Sequence, residues 1–161
     1  MRKVLRLIVV LILVLGLTLP IATSVSADST VAELWAANGK YKAGDVRVWN
    51  DATTLFVQFT TWDWLLVETH VAVGWYDGTD WVGIPMTKKG NPKVGNFPYS
   101  QPHDPVVRVT YEIPLSWAPG TELRIAAHAV VRGSCGDETA WAGDISFPWK
   151  SWATYFTYIV Q

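Results

Sequence analysis

The residues of this 161-residue chain whose types and spacing suit them to chemistry are Glu68, His70, His128 and Glu138. Glu68 and His70 stand two apart in Val67-Glu68-Thr69-His70-Val71, so on an extended strand both side chains point to the same face, away from the valines. His128 points away from the apolar stripe of its own segment, and Glu138 follows in Gly136-Asp137-Glu138-Thr139-Ala140-Trp141. If the two segments are neighbours, two imidazoles and two carboxylates meet. Such a set can ligate zinc or form an acid–base pair. The competing reading is a hydrogen-bonded polar cluster beneath a long loop, fixing strand register rather than acting on a substrate.

Two further sets could bind. Asp77-Gly78-Thr79-Asp80, with Asp137, Glu138 and Asp144, offers oxygen ligands for calcium, but the spacing is not that of an EF-hand loop and a turn explains Asp77–Asp80 more simply. Ten tryptophans are present. Trp62, Trp64, Trp75 and Trp81 bracket the Glu68–Gly74 segment at strand ends, where exposed indoles could stack on sugar rings. Trp49 and Trp152 lie inside strand patterns and read as scaffold, in line with a small domain that fills its core with aromatics. Nucleophile-elbow, His-Glu-x-x-His, phosphate-loop and Ser-x-x-Lys motifs are all missing from the sequence. The single cysteine, Cys135, excludes an internal disulfide and any multi-cysteine metal site; it is either free or a link to another chain.

The elements that must position these residues read as strands. Val46 and Val48 alternate with Arg47 and Trp49, Asn50–Thr53 supplies turn residues, and Leu55, Val57 and Phe59 alternate with Phe56, Gln58 and Thr60, which makes a hairpin. Val67–Val73, Trp81–Ile84, Val107–Leu115, Leu123–Val131 and Trp152–Val160 are further strand candidates, and Val31–Ala37 is read as the first strand. No stretch carries sustained helical periodicity. Seven to nine short strands predict an all-β domain, an antiparallel β-sandwich of immunoglobulin-like or jelly-roll topology. Residues 85–105, with five prolines, predict a long loop packed down by Met86, Val94, Phe97 and Tyr99.

The first 27 residues read as an address. Arg2, Lys3 and Arg6 precede an apolar run, Leu7–Ile21, and small residues stand at the −3 and −1 positions before a cleavage point after Ala27. The run is shorter than the roughly 20 residues that span a bilayer. The expectation is a secretory signal over 1–27 and a single mature domain over 28–161, with no membrane span after cleavage. Removing the leader leaves ten bases against fourteen acids, a net charge of −4. That argues against nucleic-acid binding, which needs a basic stripe.

Several stretches together resemble a recurring, poorly characterised extracellular β-sandwich module of bacterial and archaeal secreted and surface proteins. They are Gly44-Asp45-Val46-Arg47-Val48-Trp49-Asn50-Asp51, Glu68-Thr69-His70, Gly90-Asn91-Pro92-Lys93-Val94-Gly95-Asn96-Phe97, Ile125-Ala126-Ala127-His128-Ala129, Glu138-Thr139-Ala140-Trp141 and Trp152-Ala153-Thr154-Tyr155-Phe156. The resemblance implies a binding or structural part of the cell envelope and carries no catalytic role to any residue. The expected function is that of a secreted, non-enzymatic protein of structural assembly or adhesion at the cell surface, self-associating (with Asp28–Ala37 pairing to a neighbour's sheet edge) or joined to other envelope proteins. A carbohydrate-binding module that takes polysaccharide on its tryptophans is the alternative, and a metal-dependent hydrolase at Glu68, His70 and His128 comes third.

Overall fold

A computed structural model describes residues 28–134, 136–148 and 151–161. The expected signal segment, Cys135 and Trp149 lie outside the described residues. Eleven antiparallel strands run in chain order: β1 (Thr30–Ala36), β2 (Tyr41–Asn50), β3 (Thr54–Thr61), β4 (Leu65–Tyr76), β5 (Trp81–Val82), β6 (Tyr99–Val106), β7 (Arg108–Pro114), β8 (Glu122–Gly133), β9 (Gly136–Ala142), β10 (Ile145–Ser146) and β11 (Thr154–Ile159). The fold is all-β, as the alternation predicts. β5 falls within the expected Trp81–Ile84 strand; the count exceeds nine because β10 is a two-residue strand too short to show a period, and because β6 and β9 occupy segments without a strand assignment in the sequence. Among the described residues no helix is long and apolar enough to cross a membrane.

Local chemistry sets the turns. At the β2–β3 hairpin the Asp51 carboxylate accepts the backbone N–H groups of Thr53 and Thr54, both at 2.8 Å, so one side chain satisfies two turn donors. Those bonds, with Thr53 first, hold its carboxyl below the usual aspartate range. Between β1 and β2, Ala37, Asn38 and Gly39 adopt left-handed backbone at φ 53°, 58° and 79°, a conformation that Ala tolerates poorly.

Pairing joins the strands into one sheet. β1–β2–β3–β7 form one arm, and β8 carries β4 along one edge with β11 and β9 end to end on the other. β9 links the arms through three residues of β1, Leu34–Ala36. Val46, Val48, Leu55, Val57, Phe59 and Ile113 of the first arm share a core with Leu66, Val71, Val73, Leu123, Ile125 and Val131 of the second. That core is mainly aliphatic. Contrary to the expectation of an aromatic-filled interior, Trp141 is the one buried residue among the described tryptophans, and the others lie around the core or at the strand ends.

The outer face of β4 and β8 has a second cluster, where Ala72, Ala126, Trp141 and Tyr155 are covered by Phe97 and Phe147, with Ile84, Met86 and Val94 packed alongside. The proline-rich segment is thus pinned as expected by Met86, Val94 and Phe97, but only to about residue 98. From Tyr99 onward it is β6, which among the described strands pairs with β4 alone, and an edge strand tolerates Pro102 and Pro105.

Candidate functional site

β4 and β8 are neighbours, and His70 stands opposite His128 in their register. The two rings lie 5.3 Å apart, centroid to centroid, and each residue is 7% exposed. A β-bulge between Leu66 and Glu68 sets this face: it inserts Val67, gives the core position to Leu66, and turns Glu68 and His70 outward together. His70 Nε2 lies 3.3 Å from Glu68 Oε1, and its Nδ1 lies 3.1 Å from the hydroxyl of Ser100 on β6, which donates to the Phe97 carbonyl. Trp141 covers His128 edge-on at 4.9 Å. His128 Nδ1 is buried with no hydrogen-bond partner.

Burial decides the charge of this pair. It pushes the His128 imidazole down to about 3, with repulsion from His70 adding to the effect. Burial also lowers His70, against the opposing pull of Glu68. The pair is therefore neutral at pH 7 and sealed by Trp141, an arrangement that fixes strand register and the covering loop. Glu138 does not close the cluster. Its strand pairs with β8 three positions further along, with Glu138 opposite Val131 and Trp141 opposite His128, so Trp141 occupies the place foreseen for a carboxylate. Among the described residues no group of three or more His, Cys, Asp or Glu side chains is placed to hold a metal ion.

The third histidine, His103, was not legible as a partner. On the core side of β4, Thr69 Oγ1 lies 2.8 Å from His103 Nε2 on β6 and 2.7 Å from the Tyr111 hydroxyl on β7, and that hydroxyl donates to the Thr69 carbonyl at 2.9 Å. This network ties the two arms together. Burial lowers His103 and raises Tyr111.

The calcium candidates do not converge. Asp77 accepts the N–H groups of Thr79 and Asp80 and so builds its own turn. Asp137 is held by a bidentate pair with Arg132, at 2.6 and 2.9 Å. Arg132 pairs with Leu65 at one end of β4, while Asp77 follows the other end.

The four bracketing tryptophans are likewise divided, since Trp64 and Trp75 lie about 36 Å apart at roughly 3.3 Å per strand residue. At the far end Trp75 packs on Trp117 at 5.5 Å, and Trp81 lies 3.5 Å under the Arg124 guanidinium, so both are engaged in scaffold contacts. At the near end Trp62 is more available. Trp62 is 56% exposed, with the Lys42 ammonium 5.2 Å over its ring.

Beside Trp62, Trp64 and Tyr41 lie 6.2 Å apart with their planes tilted by 38°. They line an open groove of about 590 Å³ together with Lys40, Asp63, Gly133, Ser134 and Glu138. That size suits a small ligand. Gly133 positions the indole: a Cβ there would come within 2.6 Å of the Trp64 ring, so a larger residue would displace it.

No protein-family model matches the chain, and no curated protein or solved structure does. The functional reading therefore rests on the residues themselves. Of the sequence candidates, the groove unites Trp64 and Glu138, with Trp62 adjacent through Asp63, while Glu68, His70 and His128 form a separate cluster in which the two histidines are buried and Glu68 reaches the surface. Tyr41, Lys40, Asp63 and Gly133 escaped the sequence reading. The nearest signal is Trp62-Asp63-Trp64, a carboxylate between two indoles.

Proposed function

We propose that this chain is an exported, non-enzymatic β-sandwich protein of the cell surface that binds carbohydrate in the groove between Tyr41 and Trp64. One observation carries the reading: two tilted aromatic rings and hydrogen-bonding side chains share a single open groove. Pyranose rings present apolar C–H faces and polar rims, and a site with aromatic faces and carboxylate, ammonium and hydroxyl groups at its edge matches both. Export rests on the 1–27 pattern, and the neutral, covered His70–His128 pair supports a non-enzymatic role. The test is retention of the mature protein on immobilised polysaccharides, with Tyr41→Ala and Trp62→Ala as variants. Loss of retention in these variants with unchanged melting supports the reading, and no retention of the wild type on any glycan overturns it.

Assembly at the surface is a second reading, favoured by one feature. β1 does not offer a free arm, because it pairs along its length with β2 and through Leu34–Ala36 with β9. Its first half, however, lines a 380 Å³ opening facing Phe156 and Thr157 of β11, rimmed by the exposed Val31 and Ile145. An open edge of this kind accepts an added strand. Sedimentation analysis of the mature protein tests it, with a monomer at all concentrations counting against assembly.

A further inference from the structure

We infer that the groove selects glycan chains without acidic groups and rejects uronate or sulfated ones, an inference that rests on the carbohydrate reading above. The aromatic pair makes the site; the charges around it set which sugars enter. Asp63 and Glu138 place two carboxylates on the lining, against the single ammonium of Lys40, which lies 4.9 Å over the Tyr41 ring. The neighbouring cations already have anionic partners. Lys42 sits between Glu33 at 2.8 Å and Asp45 at 3.3 Å, and Arg132 is held by Asp137. An incoming carboxylate or sulfate would therefore meet two like charges in the open groove, and binding it would require breaking an existing ion pair or drawing Lys40 from its present contacts. A neutral sugar meets no such penalty, because its hydroxyls donate hydrogen bonds to Asp63 and Glu138. The excess of four acids over bases in residues 28–161 acts in the same direction at longer range.

The experiment measures affinity by calorimetry for soluble neutral oligosaccharides (gluco-, manno- and xylo-configured) and for oligogalacturonate and oligoguluronate of matched length, using wild type and the double variant Asp63→Asn/Glu138→Gln. The expected result is binding of at least one neutral series, with acidic oligosaccharides weaker by on the order of tenfold or more. The double variant is expected to narrow that gap, and so is raised salt, which screens the repulsion. Acidic oligosaccharides binding as tightly as neutral ones, or a gap unchanged in the double variant, overturns the selectivity and leaves carbohydrate binding standing. Failure of every oligosaccharide to bind wild type overturns both.

Discussion

Lowering the pH from 7 to 5 is expected to destabilise this protein, and His128 is the main cause. Its folded-state imidazole titrates near 3, whereas in an unfolded chain it takes a proton near 6.5. The folded state thus refuses a proton that the unfolded state accepts. Stability is complete above about pH 7, falls by about 1.4 kcal/mol per pH unit below 6.5, and stops falling through this group near pH 3. At pH 5 the loss from His128 alone is about 2 kcal/mol, a large share of the 5–15 kcal/mol typical of domains. His70 and His103 are also lowered by burial and steepen the decline in the same window. The lowered carboxyls of Asp51, Asp77 and Asp137 act only in more acidic solution, since their ordinary value is 3.8.

The assay is urea unfolding followed by tryptophan fluorescence at pH 7, 6 and 5. His128→Phe, which keeps a ring between His70 and Trp141 but cannot titrate, should retain only the shallower slope contributed by the other two histidines. A wild-type stability that does not change between pH 7 and 5, or a His128→Phe variant with the full wild-type slope, would refute the reasoning.

Three further outcomes follow from the geometry. Tyr111→Phe removes the donor to the buried Thr69 carbonyl and should cost about 1–3 kcal/mol, read by the same urea titration, with little change at Thr69→Ser, which keeps the hydroxyl. Gly133→Val should displace the Trp64 ring and shift its fluorescence while abolishing glycan retention, whereas Gly120→Ala, remote from the groove, should leave retention intact. Phe59→Ala empties a fully buried position that faces Tyr111 and should cost about 3–5 kcal/mol, measured as a lowered urea midpoint.

Periodicity revealed most of the strands because their burial alternates: Val46 and Val48 on β2, and Leu55, Val57 and Phe59 on β3, each occupy the core as the pattern requires. It failed where the physics is not local. The bulge at Val67 shifts the core position to Leu66 without a turn residue to announce it. β6 contains two prolines that normally argue against a strand, and only its place at the edge, bonded on one side to β4, permits them. The sealed His pair could be anticipated from two alternating strands once they were set side by side. The Thr69–His103–Tyr111 network could not, since it joins positions 34 and 42 residues away through strand order alone.

The same nonlocality explains why eight candidate residues became three separate places. β4 is twelve residues long, so the tryptophans that bracket it in sequence sit at opposite ends of one strand rather than around one site. At the far end Trp75 and Trp81 pack against Trp117 and Arg124; in the middle the histidine pair is covered by Trp141 and the adjoining loop that ends at Phe97. Only at the near end does the β1–β2 turn bring a second ring, Tyr41, beside Trp64 without covering it. The left-handed Ala37-Asn38-Gly39 turn precedes Lys40 and Tyr41, and the glycine at 133 gives the indole its room. The groove stays open here because two backbone features, a turn and a missing side chain, hold Tyr41 and Trp64 in place, with the Lys40 ammonium as the cation over the Tyr41 ring.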